Sequence, residues 1–293
     1  ANVTTLANGE VLTVTNSDNL KLTALGGGFG DSLTGGSGAD ILTGNGGNDT
    51  LLGAGGNDVI TGGTGIDSIT GGTGVDNIDA GAGNDIIIVA DDAEFKVSGG
   101  VETVKGGLGT DTLSFTEGAD LTLTAPELSQ LYSVEKIVLG SNTTSLTFGN
   151  ETFTNLGNAS LQITTTSTNN VTTIDGSAVS NGSFLIVDDG SNNNSDNLIG
   201  GSGDDIFRFA TTTGLTSGDT VTGGAGTDTS PHFPGAPNCG VYAGGGGGGA
   251  GGPGTSGGAA GPGGGSAGTT CSTGGNNATA NTGGGAGGSG NPP

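Results

Sequence analysis

The chain has 293 residues and a formal net charge of −23, because 28 acidic residues are balanced by only five basic ones. Such an acidic chain offers phosphate groups no basic patch, which excludes nucleic acid as a partner, and anionic membrane surfaces repel it unless a divalent cation bridges the two. No apolar run in the sequence is long enough to span a membrane.

Residues 1–25 are predicted to form lead-in strands, with alternating apolar residues at 11–14 and 20–22. A nine-residue unit then repeats over residues 26–88: Gly, Gly, any residue, Gly, any residue, Asp, any residue, a large aliphatic residue and any residue. The sixth positions are Asp31, Asp40, Asp49, Asp58, Asp67, Asp76 and Asp85. The eighth positions are Leu33, Leu42, Leu51, Ile60, Ile69, Ile78 and Ile87. Such regularity at both positions does not arise from composition alone.

One unit is too short to bury its aliphatic residue, so the units are predicted to stack with two units in each coil. This arrangement places Asp31, Asp49, Asp67 and Asp85 in one column and Asp40, Asp58 and Asp76 in another. Carboxylates at the ~4.8 Å spacing of neighbouring strands repel each other unless a divalent cation lies between them. Calcium suits this gap because it accepts six to eight oxygen ligands at flexible geometry. Glycine lets the turns adopt positive φ and bring carbonyl groups close to the metal.

These units resemble the RTX (repeats-in-toxin, or hemolysin-type) calcium-binding β-roll family of secreted bacterial proteins. The resemblance implies an all-β fold, a parallel β-roll or β-solenoid, that holds several Ca²⁺ ions. It also implies an extracellular or cell-surface protein exported by type I secretion. Glycine is replaced at a few positions of the units, and the first unit, with Phe29 in its turn, is predicted to be the weakest site.

The first RTX block is predicted to cover residues 26–118, with an insert at 89–105 before one further unit that contains Asp111. A second, less regular block is predicted at residues 191–229. Its candidate metal ligands are Asp196, Asp205 and Asp228.

Residues 119–190 are predicted to form a Thr- and Asn-rich β-solenoid spacer, because short stretches of period-two apolarity alternate with Asn and Gly. A single short helix is predicted at residues 125–134, with Pro126 at its first position and Leu128, Leu131 and Tyr132 at helical spacing. The spacer loosely resembles strand-rich stretches of bacterial surface-layer proteins that carry RTX blocks.

The tail, residues 230–293, differs from the rest of the chain because glycine dominates it and it contains no Asp, Glu, Lys or Arg. This tail is predicted to be disordered, either as a genuine linker or as the product of a shifted reading frame. Both cysteines and the only histidine lie in it. The chain begins without methionine or a secretory signal, and is expected to be an interior fragment.

The sequence gives no support for catalysis, because the part predicted to be ordered has no histidine or cysteine, and no enzymatic activity is expected. Two functions remain open. The first is a calcium-folded structural module of a surface-layer-like or adhesive protein, which self-associates or contacts cell-surface components. The second is the calcium-binding C-terminal region of a secreted RTX enzyme or toxin whose active domain lies elsewhere.

Overall fold

A computed structural model describes residues 2–3, 13–15, 19–90, 102–116, 121–140, 144–157, 160–165, 172–188, 195–209 and 220–223. The glycine-rich tail and Asp228 lie outside these residues. The chain divides into two compact units, the first comprising residues 1–119, 126–140 and 155–157, and the second comprising residues 120–125, 141–154 and 158–293.

The first compact unit, which is distinct from the nine-residue repeat units, is built from two parallel sheets whose strands alternate along the chain. One sheet has the strand order β1 (Asn2–Val3), β3 (Thr23–Leu25), β5 (Ile41–Gly46), β7 (Val59–Thr64), β9 (Asn77–Gly83), β11 (Thr103–Gly109) and β14 (Leu131–Tyr132). The other has the order β2 (Thr13–Thr15), β4 (Ser32–Thr34), β6 (Thr50–Gly55), β8 (Ser68–Thr73), β10 (Ile86–Val89), β12 (Thr112–Phe115) and β15 (Lys136–Leu139). This alternation is a parallel β-roll, as predicted.

The strand register confirms that two nine-residue units form one coil. Leu33 pairs with Leu51, and Leu51 with Ile69, so each partner lies two units further along the chain. The aliphatic side chains at the eighth position of the units point inward from both sheets and are no more than 1 % exposed. Each of them is therefore removed from water by its neighbours in the adjacent coils, as expected for a repeat that cannot fold alone.

The strands in the middle of the repeat block are longer than the unit suggests. They run six or seven residues, because backbone pairing continues into the glycine-rich segment, for example between Asn45 and Gly63. Both ends of the predicted insert at 89–105 belong to strands. Val89 ends β10, and residues 103–105 pair in register with β9.

The second compact unit also contains parallel strands. One of its sheets has the order β13 (Leu121–Leu123), β16 (Thr144–Thr147), β18 (Thr172–Asp175), β20 (Asn197–Ile199) and β22 (Thr220–Thr222). Strands β17 (Ser160–Thr165), β19 (Ser183–Asp188) and β21 (Ile206–Phe209) pair in that order. The core of this unit includes Phe148, Phe153 and Phe184, whose rings meet edge to face with centroids 5.0–6.5 Å apart.

The described residues contain two short helices, α1 (Ala125–Leu128) and α2 (Asn150–Leu156). The predicted helix at 125–134 is wrong beyond Leu128, because Leu131 and Tyr132 pair as a strand with Val104 and Lys105. The packing of Leu131 in the apolar interior of the β-roll overrides its helical spacing from Leu128. Helix α2 was not predicted. Neither helix has the length or apolarity needed to cross a membrane.

Candidate metal centre

The 18-residue register brings the aspartates of the first block together in two columns, as the spacing predicts. Each aspartate directly precedes a strand, and its side chain points inward at the turn between the two sheets. The side chains are no more than 3 % exposed. The first column contains Asp31, Asp49, Asp67, Asp85 and Asp111, and the second contains Asp40, Asp58 and Asp76.

One carboxylate oxygen of each aspartate from Asp40 to Asp111 accepts a hydrogen bond from the backbone of the preceding coil. Oδ1 of Asp49 accepts a hydrogen bond of 2.7 Å from the backbone N–H of Asp31, and Oδ1 of Asp58 accepts the equivalent bond from Asp40. The same bond recurs between Asp85 and Asp111, although the chain between these two aspartates is longer than two repeat units. The columns therefore form a continuous ladder in which each coil caps the one before it.

The other carboxylate oxygen, Oδ2, has no comparable hydrogen bond in the central turns. Oδ2 is buried and accepts no hydrogen bond in Asp49, Asp58, Asp67, Asp85 and Asp111. A buried acceptor without a donor costs free energy, about 1–3 kcal/mol for an ordinary polar group and more for a charged one. A row of such atoms indicates that a further, positively charged partner is needed.

Backbone carbonyl groups lie beside these oxygens. A methyl group added to Gly44 would contact Oδ2 of Asp49 and, at 2.7 Å, the carbonyl oxygen of Gly62 in the next coil. Gly53 has the same relation to Asp58 and the carbonyl of Gly71. The first glycine of the unit thus leaves room in which a carboxylate oxygen and a carbonyl oxygen from adjacent coils approach each other.

The first two turns differ from the central ones. Oδ2 of Asp31 accepts a hydrogen bond of 2.6 Å from the N–H of Gly27, and Oδ2 of Asp40 accepts one of the same length from Gly36. In these two carboxylates, Oδ2 therefore has a hydrogen-bond donor within its own turn. That the first repeat unit is the weakest site stays a prediction, and the second repeat unit shares the same hydrogen bond.

The carboxyl groups of the central aspartates are buried, so that water stabilises their charged form poorly. The pKa of Asp58 is raised from 3.8 to about 7 and that of Asp49 to about 6, mainly by burial and also by the charges of the neighbouring aspartates in each column, although hydrogen bonds from the backbone oppose the change. The pKa of Asp111 also rises to about 6, mainly by burial and partly through the charges of Asp85 and Glu135. Burial likewise raises the pKa values of Asp67 and Asp85.

Left-handed backbone conformations shape the turns. Gly47 and Gly65, at the fourth position of their units, have φ values of 104° and 133°, and a side chain on Gly65 would collide with the carbonyl of Gly47. From the third repeat unit onward the second position is also left-handed, even at Asn45 and Ala54, where φ is 75° and 80°. The glycines therefore serve the conformational role that the sequence predicts for them.

The donor set fits calcium. Within the described ranges, no three His, Cys, Asp or Glu side chains converge on one point, so the remaining ligands of any ion would be backbone carbonyl oxygens. Carboxylate and carbonyl oxygens from two turns match a hard cation with a flexible shell, which favours Ca²⁺ over Mg²⁺ and over metals that prefer nitrogen or sulfur. Asp49, Asp58, Asp67, Asp85 and Asp111 are best placed to hold such ions.

Two glutamates in the columns were not predicted as ligands. Glu102 is 2 % exposed and follows Asp76 in the register, since Thr103 pairs with Asn77. Glu135 follows Asp111, and its Oε2 accepts the N–H of Asp111 at 2.8 Å. Each lies more than two repeat units beyond its neighbour in the column, so the nine-residue period does not reveal it.

The aspartates of the second block have different neighbours. Oδ1 of Asp196 accepts the N–H of Thr172, and Oδ1 of Asp205 accepts that of Phe184, so neither preceding coil supplies a carboxylate at the matching position. Oδ2 of Asp205 accepts a hydrogen bond of 2.9 Å from Gly201, as in the first two turns of the first block. Burial raises the pKa of Asp205 to about 6.

The fold and the columns define a parallel β-roll whose turns hold rows of buried carboxylates. Comparison with known families agrees: the RTX calcium-binding nonapeptide repeat matches residues 25–60, 52–87 and 191–208. The chain thus carries RTX repeats in both predicted blocks, and they support a calcium-binding structural module. Neither the curated proteins nor the solved structures compared with the chain include a match. The resemblance of the spacer to surface-layer proteins stays a prediction.

Proposed function

We propose that this chain is a calcium-folded structural module of a secreted bacterial cell-surface protein, surface-layer-like or adhesive, that is exported by type I secretion. The observation that carries the proposal is the row of buried Oδ2 atoms without hydrogen-bond donors in the central turns. The metal ligands proposed in the first block are Asp31, Asp40, Asp49, Asp58, Asp67, Asp76, Asp85 and Asp111. Those proposed in the second block are Asp196, Asp205 and Asp228.

Calcium would neutralise the columns and connect adjacent coils. The chain supplies the rest: Oδ1 fixes each carboxylate to the preceding coil, the first glycine of the unit makes room for the ion, and the aliphatic residues fill the interior. Because the carboxylates come together only when the coils stack, metal binding and folding are coupled. Extracellular calcium modules work at ~10⁻⁴ to 10⁻³ M, so folding is expected after export.

The surface role draws its support from the second compact unit. Its Thr-, Ser- and Asn-containing strands pair in parallel as those of the repeats do, although most of them lie outside the residues that match the RTX repeat. Such parallel stacking suits a structural or adhesive element. A catalytic or pore-forming domain elsewhere in a longer chain would instead favour the alternative, the C-terminal region of an RTX enzyme or toxin.

Circular dichroism of the purified chain, titrated with calcium from excess chelator to about 10 mM, tests the calcium-dependent fold. The β signal is expected to rise cooperatively near ~10⁻⁴ to 10⁻³ M calcium, and magnesium at the same concentration is expected to produce little change. An ordered β signal of equal size in chelator would refute the proposal.

Electron microscopy of the calcium-loaded protein tests the surface role. Ordered assemblies would support that role, and strictly monomeric particles would favour the alternative.

A further inference from the structure

The first column does not end with the last aspartate of the repeats. Lys136 pairs with Thr112 in the register of β12 and β15, which places Glu135 directly after Asp111 in the column. Oε2 of Glu135 accepts the N–H of Asp111 at 2.8 Å, the same bond that Oδ1 of Asp111 accepts from Asp85. A glutamate outside the nonapeptide repeats therefore takes the place of the next repeat aspartate.

Ser133 supplies the backbone group that accompanies this carboxylate. In the repeats, a methyl group added to Gly62 would contact the carbonyl of Ala80, the first residue of a unit in the next coil. A methyl group added to Gly106 would contact the carbonyl of Ser133 in the same way, and Oδ2 of Asp111 at 2.7 Å. Ser133 is left-handed, with φ of 49°, which is unusual for a residue with a side chain.

The segment 133–135 is thus a shortened form of the repeat turn. The first glycine of a unit lies five positions before its aspartate, as Gly106 does before Asp111, but Ser133 lies only two positions before Glu135. The longer glutamate side chain compensates for the shorter backbone path. Oδ2 of Asp111 points into this turn, is buried, and accepts no hydrogen bond.

We propose that Glu135 and the carbonyl of Ser133 complete an additional calcium site with Asp111, beyond the residues that match the RTX repeat. This inference rests on the proposed function, because it assumes that the columns bind calcium. It assigns a ligand role to a residue that the repeat pattern does not identify, and it places one more ion at the C-terminal end of the first column.

The variant Glu135→Gln tests the site. Glutamine keeps an oxygen that can accept the N–H of Asp111 but removes the charge that the ion requires. Equilibrium dialysis of the full chain against about 5 mM calcium, above the working range of extracellular calcium modules, is followed by metal analysis. The metal analysis is expected to show that Glu135→Gln binds one ion fewer per chain than the unaltered protein. Glu151→Gln is the matched control, since Glu151 lies exposed on α2 and its loss removes the same charge. This control is expected to bind the full number of ions.

A second variant covers the case in which Glu135→Gln does not fold at saturating calcium. Glu135→Asp keeps the charge but withdraws it by one methylene, and is expected to weaken one site at least about tenfold while the others are unchanged. An unaltered protein that binds no calcium would refute the proposed function itself. If the unaltered protein binds calcium, and either folded variant retains the full ion number with unchanged affinities, the inference about Glu135 alone is wrong.

Discussion

The two oxygens of each repeat aspartate have separate roles. In every turn from Asp40 to Asp111, Oδ1 accepts a backbone N–H from the preceding coil, which makes it a structural group. Oδ2 distinguishes the turns from one another: the N–H of Gly27 satisfies it in Asp31, and no donor satisfies it in Asp58. Equivalent sequence positions are therefore unequal in their need for a cation.

This inequality predicts different effects of the same substitution. Asp58→Asn keeps an acceptor for the N–H of Asp40 but removes the charge that faces the ion, and is expected to weaken calcium binding at least about tenfold, which corresponds to about 1.4 kcal/mol. Asp31→Asn is expected to have a smaller effect, since Oδ2 of Asp31 is satisfied within its own turn. Calorimetric calcium titration of the two variants measures the difference. Equal losses would show that position in the column does not matter.

At the level of the strands, the sequence predicts the features that depend on strict periodicity. The register of two units per coil, the two columns and the aliphatic ladder all follow from a unit that repeats without interruption. Glu102 and Glu135 could not be found in this way, because the path between coils lengthens beyond two units and only the folded chain shows where it returns. The strand at Leu131 likewise depends on pairing with Val104, which a local helical pattern cannot reveal.

The aliphatic ladder contributes stability through close packing between coils. Ile69 is fully buried in β8, between Leu51 and Ile87 of the neighbouring strands. Ile69→Ala is expected to destabilise the calcium-loaded protein by about 2–4 kcal/mol, because the cavity it creates cannot be filled by rigid neighbouring coils. Ile66→Ala is the matched control, since Ile66 is 53 % exposed, and is expected to cost less than about 0.5 kcal/mol. Denaturant unfolding at saturating calcium measures both values.

At the scale of the whole molecule, charge controls the ion-free state. Residues 26–88 contain eight acidic residues and no basic one, and the central aspartates have raised pKa values in the folded coils. The folded state therefore binds more protons than the unfolded state between pH 3.8 and the folded pKa values. Protonation can replace part of the neutralisation that calcium would provide.

The ion-free protein is consequently expected to lose stability as the pH rises. The contribution of these aspartates is fully present below about pH 4 and is lost as the pH passes through the folded pKa values of about 6 to 7. In excess chelator, the β signal in circular dichroism is expected to be larger at pH 5 than at pH 8, and sedimentation velocity should verify that the sample at pH 5 is not aggregated. A β signal that grows with pH in chelator would contradict this expectation.

The pairing of each unit with the next but one also has a geometric consequence, since a single nine-residue unit is only half a revolution of the solenoid. The insertion or loss of one unit keeps the interior intact but turns everything beyond it to the opposite side of the long axis. The insertion or loss of two units changes the length alone. Whether the number of repeat units is odd or even therefore determines the side of the solenoid on which the chain leaves the repeat block. Duplication of a single nine-residue unit can thus change the direction in which the following segment of the chain points.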